Sequence, residues 1–198
     1  MADIRVTGQY GDVFTFLAGR PCLDLTTTLQ VRHREHPREL LTAPADVTRW
    51  LAEAGFGTGI AVDDDGLRRT VALRETVNRL CRRAPRDTDR AELNAFAARP
   101  PLVPHWTGAA VEYRGDLGQA LSTLARDAID LLTGPHASRI RECAHPDCSR
   151  LFLDASHAGR RRWCDMTACG TKAKSAGYRQ RRRMADVPDA PSLGSPRV

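Results

Sequence analysis

Four of the six cysteines lie in two pairs of identical spacing in the last third of the sequence. Four residues separate Cys143 from Cys148 and Cys164 from Cys169, and fifteen residues lie between the two pairs. A thiolate is a soft anionic ligand, and four thiolates form a tetrahedral shell around zinc at bond lengths of about 2.3 Å. The pattern therefore predicts a structural site for one Zn²⁺ ion, because four cysteines leave no coordination position open for catalysis.

Two other uses of these cysteines, disulfide bonds and an iron–sulfur cluster, stay open at this point. The first residues show no basic region followed by an apolar core, so we expect a reducing, cytoplasmic location in which such clusters bind metal. A single Cys-x-x-Cys beside a βαβ unit, which is typical of redox catalysis, is not found. Either His145 or His157 could replace one cysteine, although four paired sulfurs make that unnecessary.

The residues around the cysteines predict a treble-clef-like finger. Pro146-Asp147 suits a tight turn between the first two ligands. Leu151–Leu153 is expected to be a strand, Ser156–Gly159 a turn and Arg161–Trp163 the returning strand of a hairpin, followed by a helix from Cys169 to about residue 184. About forty residues bury too little apolar surface to fold alone, so zinc would contribute on the order of 10 kcal/mol.

Positive charge is concentrated in the same segment. Residues 139–183 contain 12 Lys and Arg and four acids, a formal charge of +8, whereas the whole chain carries +6 and the remainder therefore −2. This density predicts contact with nucleic-acid phosphates, with an acidic protein partner as the main alternative and a merely solvated surface as the third. The candidate nucleic-acid-binding residues are Arg160, Arg161, Arg162, Lys172, Lys174, Arg179, Arg181, Arg182 and Arg183.

The sequence before the cysteines predicts a mostly helical domain over residues 1–134, large enough for its own core. The three acids Asp63, Asp64 and Asp65 are expected to begin a helix, where free amides satisfy them, rather than to bind a metal. Expected helices cover about 44–55, 63–83, 87–99 and 115–133, with a strand near 13–17 and a strand pair within 102–114. A connector (135–142), the finger (143–184) and a disordered Pro/Ser/Gly-rich tail (185–198) follow, so the fold class is mainly α with small β elements.

Few residues outside the finger suggest a catalytic or ligand-binding role. Arg20 and Asp24 could form a buried ion pair or line a ligand pocket, and Cys22 and Cys81 are expected to be buried thiols. The sequence has no Gly-rich phosphate loop, no G-x-S-x-G motif and no paired-carboxylate pattern, so we do not expect an enzyme. No apolar run approaches the eighteen or so residues of a membrane span, so we expect no membrane insertion.

The finger resembles that of the bacterial CGNR zinc-finger proteins, in which a helical ABATE domain, a proposed stress-induced transcription regulator, precedes the zinc finger. The similarity covers nearly the whole chain and is carried by Pro21–Leu25, Arg141–Cys148, Leu151–Asp154, Arg161–Cys164 and Met166–Gly170. The family's Cys-Gly-Asn-Arg is Cys-Gly-Thr-Lys here, which keeps the ligand but replaces a bidentate guanidinium by the point charge of Lys172.

The resemblance implies a transcriptional regulator that binds double-stranded DNA through the basic finger. It also implies that the helical domain senses a small-molecule effector or mediates association. One finger offers a small footprint, so we expect a homodimer that binds two half-sites. The alternative is a protein-interaction module that docks an acidic partner such as the transcription machinery.

Overall fold

The computed structural model describes the backbone of residues 5–7 and 13–175 and the side chains of residues 14–175. Helices dominate this part of the chain and strands occur in short antiparallel pairs, so the predicted mainly α class with small β elements is confirmed. The helices are α1 (Pro21–Thr26), α2 (Pro44–Glu53), α3 (Asp64–Cys81), α4 (Asp89–Ala97) and α5 (Leu117–Thr133). The paired strands are β1 (Arg5–Thr7) with β2 (Val13–Thr15), β3 (Leu29–Gln30) with β4 (Arg38–Glu39), β5 (Val103–Trp106) with β6 (Val111–Arg114), and β7 (Ile140–Glu142) with β8 (Leu151–Leu153).

Side-chain caps fix where the two long helices begin. The carboxylate of Asp63 accepts a hydrogen bond of 2.7 Å from the backbone N–H of Gly66 at the start of α3. At the start of α5, Asp116 and Gln119 each accept a hydrogen bond from the other's backbone N–H, at 2.9 and 3.1 Å. The prediction that the three acids begin a helix is therefore confirmed, and the expected helices and the 102–114 strand pair are found within a few residues.

The core is centred on the short helix α1, whose residues from Cys22 to Thr26 are all buried. Helices α3 and α5 pack against it, and Leu73, Leu121 and Leu124 have no exposed surface. Each fully buried leucine stabilises the fold by about 1.5–3 kcal/mol. The helices expected from the sequence do not include this segment. The structure forms a helix because the hydroxyls of residues 26–28 each donate to a carbonyl three residues earlier, which satisfies polar groups inside the core.

The strand pairing in the finger differs from the expected hairpin. Leu151–Leu153 is a strand, as predicted, but its partner is Ile140–Glu142, which precedes the first cysteine, and residues 161–163 form no strand. The carboxylate of Asp154 explains the difference, because it accepts hydrogen bonds from the backbone N–H groups of Ser156 and Arg161 at 3.0 and 2.9 Å. These bonds hold residues 154–161 in a loop around the Asp154 carboxylate, so the chain does not return alongside β8.

The finger region, residues 139–175, packs directly on the helices. Leu151 and Phe152 are buried in the same apolar cluster as α1, α3 and α5. The backbone N–H of Leu153 donates to the carbonyl of Ala18 at 2.8 Å, and the backbone N–H of Arg32 donates to the Ser149 hydroxyl at 3.0 Å. The finger region therefore shares its apolar core and several hydrogen bonds with the helical part of the chain.

Candidate metal centre and its basic surface

Three local structures bring the four cysteines together. Cys143 follows β7, and the backbone N–H of Cys148 donates to the His145 carbonyl at 2.9 Å, which closes a tight turn between these two ligands. Cys164 is buried between the Asp154 loop and a π-helical turn, Met166–Gly170, that contains Cys169. The carboxylate of Asp165 caps this turn by accepting from the backbone N–H groups of residues 167 and 168, and residues 171–175 continue as an α-helix.

The four sulfur atoms all lie within 4.8 Å of one another. The Sγ of Cys164 is 3.8 Å from that of Cys148 and 3.7 Å from that of Cys169. A tetrahedron with metal–sulfur bonds of about 2.3 Å has edges of about 3.8 Å, so the observed separations match a zinc shell. A disulfide needs an S–S distance of about 2.05 Å, and all six cysteines are free thiols. The residues therefore fit one structural zinc ion, as predicted.

Histidine takes no part in this cluster among the described residues. The Nδ1 of His145 accepts a hydrogen bond of 3.1 Å from the backbone N–H of Asp147, which holds its ring in the turn. His157 is exposed in the Asp154 loop. The cluster consists of Cys143, Cys148, Cys164 and Cys169.

Backbone amides donate hydrogen bonds to two of the four sulfurs, those of Cys143 and Cys148. The N–H of Cys164 donates to the Sγ of Cys143 at 3.4 Å. A hydrogen bond with the Cys164 thiol, aided by the backbone N–H of Arg150, lowers the pKa of Cys148 to about 5. Outside the cluster, Cys22 and Cys81 are buried thiols, as predicted, and burial raises the pKa of Cys22 well above its usual range and that of Cys81 to about 12.

The predicted nucleic-acid-binding residues divide into two groups where the structure describes them. Arg160, Arg162, Lys172 and Lys174 are exposed and form no ion pair with any described residue. Arg161 instead donates to the carbonyls of Trp163 and Cys164, and its guanidinium lies 5.0 Å from the centre of the Phe152 ring. Arg161 therefore holds the backbone beside a zinc ligand. The remaining candidates, Arg179, Arg181, Arg182 and Arg183, lie outside the described residues.

Every acidic side chain of the finger region already has a partner within the protein. Glu142 pairs with Arg82 at 2.5 Å, and Asp147 pairs with Arg34. Asp154 is buried in its loop, where the Ser156 hydroxyl and backbone N–H groups lower its pKa, and Asp165 caps the π-helical turn. The exposed cations are thus not neutralised by the acids of their own region.

Arg20 and Asp24 do not form the ion pair considered from the sequence. Arg20 instead pairs with Asp127 and Asp130 of α5, both at 2.7 Å. Asp24 is buried and accepts a hydrogen bond of 2.9 Å from the backbone N–H of Ala18, and burial raises its pKa to about 7. The sequence offered no sign of Asp127, because this partner lies 107 positions from Arg20 in the chain.

Comparison with protein families assigns both parts of the chain. Residues 19–135 match the ABATE family, described as "Putative stress-induced transcription regulator", and residues 139–182 match the CGNR zinc finger. No curated protein matches the sequence. Within the described part of the chain, none of the helices has both the length and the apolar character needed to cross a lipid bilayer.

Proposed function

This chain belongs to the ABATE family and carries a CGNR zinc finger, and from that premise we propose that it is a zinc-dependent transcriptional regulator that binds double-stranded DNA. In this proposal zinc holds the finger in shape, and the exposed cations of the finger bind backbone phosphates. The family description supports a role in transcription, and the metal centre supports a rigid basic surface.

The observation that carries the proposal is the unequal pairing of charge in the finger region. Its four acids are paired with other groups of the protein, whereas Arg160, Arg162, Lys172 and Lys174 are exposed without an ion pair among the described residues. Lys172 and Lys174 lie in the helical segment directly after the last zinc ligand, so the metal fixes where this segment begins. Such fixed, unneutralised cations suit a polyanion, and phosphate contacts position a protein on DNA whatever the sequence.

The test is the salt dependence of binding to duplex DNA. We expect the logarithm of the association constant to fall with the logarithm of salt by about 0.9 for each phosphate contact. The double variant Lys172→Gln/Lys174→Gln is then expected to have a slope shallower by about 1.8, measured by fluorescence anisotropy with mixed-sequence duplexes.

A matched control removes two exposed arginines outside the finger, Arg68→Gln/Arg86→Gln, and is expected to keep the wild-type slope. Equal slopes for the wild type and the lysine variant would contradict the proposal. Weak DNA binding at every salt concentration, together with binding to an acidic protein, would favour the protein-interaction alternative.

We further propose that the helical part regulates this binding by sensing a small molecule. Sequence-specific binding would come from a homodimer, because one finger covers few base pairs and two would cover two half-sites. Light scattering of the protein alone and bound to duplex DNA tests this stoichiometry. Two chains per duplex are expected, and a single chain bound with full affinity would contradict the dimer.

A further inference from the structure

A cleft of about 640 Å³ opens between the end of α3, helix α4 and the end of α5, and none of the four clustered cysteines lines it. This volume lies within the range typical of small-molecule sites. The residues that line the cleft are Leu80, Arg83, Pro85, Arg90, Leu93, Asn94, Ile129, Leu132 and Thr133.

The inner surface of the cleft is mainly apolar. Leu93 is buried, and Leu80, Ile129 and Leu132 are partly buried and pack on the core. The polar groups lie among exposed residues, where Arg83, Arg90 and Asn94 border the opening. A ligand that matches an apolar inner surface and a polar opening has an apolar body and one polar end.

Arg83 occupies a backbone position that favours glycine. It follows the end of α3 with φ of 59°, and the N–H groups of Arg83 and Ala84 donate to the carbonyls of Leu80 and Arg79. This is the hydrogen-bond pattern of a Schellman motif, in which the left-handed residue is usually glycine. An arginine there is less favourable for the backbone than glycine, and in return it places a long cationic side chain on the wall of the cleft.

Arg90 also occupies a position that is electrostatically unfavourable for its charge. It is the second residue of α4, and a cation in the first turn of a helix is opposed by the helix dipole. Other arginines nearby have internal partners: Arg79 pairs with Asp89 and Arg82 pairs with Glu142. Neither Arg83 nor Arg90 has a side-chain hydrogen bond or an ion pair with any residue that the structure describes.

We propose that this cleft binds a small molecule with an apolar body and a single carboxylate. The apolar body lies on the leucine and isoleucine side chains, and the carboxylate is held by Arg83 and Arg90. Two guanidinium groups favour an anion because charge-assisted hydrogen bonds to a carboxylate are stronger than those between neutral groups. The inference deepens the proposed function by giving the effector a site and a chemical class.

Octanoate and its neutral counterpart octanol are suitable probes, used with the full-length zinc-loaded protein in isothermal titration calorimetry. We expect octanoate to bind at least about tenfold more tightly than octanol. Equal affinities for the two compounds would overturn the proposal, since the apolar surface alone would then account for binding.

The substitution Arg83→Gly removes the guanidinium without destabilising the fold, so it tests ligand binding alone. Glycine suits the left-handed backbone, so the melting temperature is expected to stay the same or rise, whereas octanoate binding weakens about tenfold. Arg90→Gln is expected to weaken octanoate binding by a similar factor, and neither change should affect octanol. The control Arg86→Gln, an exposed arginine that does not line the cleft, should keep wild-type affinity. Unchanged octanoate binding in Arg83→Gly/Arg90→Gln would overturn the proposal.

The place of binding can be read from isoleucine methyl groups, because the chain has only four isoleucines. Octanoate is expected to shift the methyl resonance of Ile129, which lines the cleft, and to leave that of buried Ile60 unchanged. The reverse pattern would place the ligand elsewhere and contradict the site. DNA is absent from these experiments, so failure of the cleft proposal is distinguishable from failure of DNA binding.

Discussion

The guanidinium of Arg82, the residue that caps α3, donates a hydrogen bond of 2.5 Å to the carboxylate of Glu142, which immediately precedes the first zinc ligand. Its second terminal nitrogen donates to the carbonyl of Ser149 at 2.9 Å, the residue directly after the second ligand. One side chain of the helical part therefore binds the residue before the first ligand pair through its carboxylate and the residue after the pair through its carbonyl. This arrangement links the position of α3 to the position of the metal.

Arg82→Gln is expected to lower the free energy of unfolding of the zinc-loaded protein by about 1–2 kcal/mol, measured by urea denaturation. The cost arises because the substitution leaves the Ser149 carbonyl without its charged donor. Arg68→Gln serves as the control, since Arg68 and Asp65 form an ion pair in which both side chains are more than half exposed. That control should change stability by less than about 0.5 kcal/mol. Equal effects of the two substitutions would show that Arg82 does not stabilise the docking of the finger.

Loss of one zinc ligand should affect the whole protein. Cys164→Ser is expected to reduce bound zinc well below one per chain by elemental analysis, and to lower the melting temperature of the helices as well as the finger. The reason is that Leu151 and Phe152 share the apolar core with α1. Cys81→Ala removes a buried thiol outside the cluster and should retain one zinc per chain. Retention of zinc with unchanged affinity in Cys164→Ser would contradict the four-sulfur site.

Asp24 should make the protein less stable as pH rises. Burial raises its pKa to about 7, so near neutral pH the folded chain holds a proton that the unfolded chain, with an ordinary aspartate, has released. Stability from this group is therefore present at acidic pH and is lost as pH rises through about 7, by about 1 kcal/mol between about pH 6 and pH 8.

The variant Asp24→Asn isolates this effect, because the amide oxygen can still accept the hydrogen bond from Ala18 but the group does not titrate. From pH 6 to pH 8 we expect the unfolding free energy of the wild type to fall relative to that of the variant. A difference that is constant with pH would show that Asp24 is ionised throughout.

Arg161 and Arg162 are neighbours in sequence that should respond differently to the same substitution. Arg161→Gln is expected to cost about 1–3 kcal/mol of stability, because Arg161 donates to the carbonyls of Trp163 and Cys164. Arg162→Gln should leave stability nearly unchanged and make the salt slope of DNA binding shallower by about 0.9. Urea denaturation measures the stability of both variants, and fluorescence anisotropy measures their DNA binding. A stability loss in Arg162→Gln but not in Arg161→Gln would contradict these roles.

The parts of the structure that follow from short-range patterns could be predicted from the sequence. The spacing of the cysteines identified the metal cluster, and the acids Asp63–Asp65 located the start of α3. In each case the deciding interaction lies within a few residues of the pattern, so local chemistry was sufficient.

The parts that the sequence did not predict depend on contacts between distant residues. Arg161–Trp163 and Ile140–Glu142 are equally plausible partners for β8 by composition, and only the hydrogen bonds of the Asp154 loop decide between them. Likewise, Arg20 finds Asp127 across the packing of α1 on α5, and Arg161 turns inward onto Phe152. A charge count treats Arg161 and Arg162 alike, whereas packing assigns them different roles.

In the proposed function, zinc held by four cysteines presents the basic finger to DNA, so DNA binding by zinc-loaded protein is to be compared with binding by chelated protein. Anisotropy of a mixed-sequence duplex at low salt is expected to show tight, salt-sensitive binding with zinc. Without the metal the binding should be at least about tenfold weaker, with recovery when zinc is restored. Identical binding by the two forms, or no binding by the zinc-loaded form, would contradict zinc-dependent DNA binding.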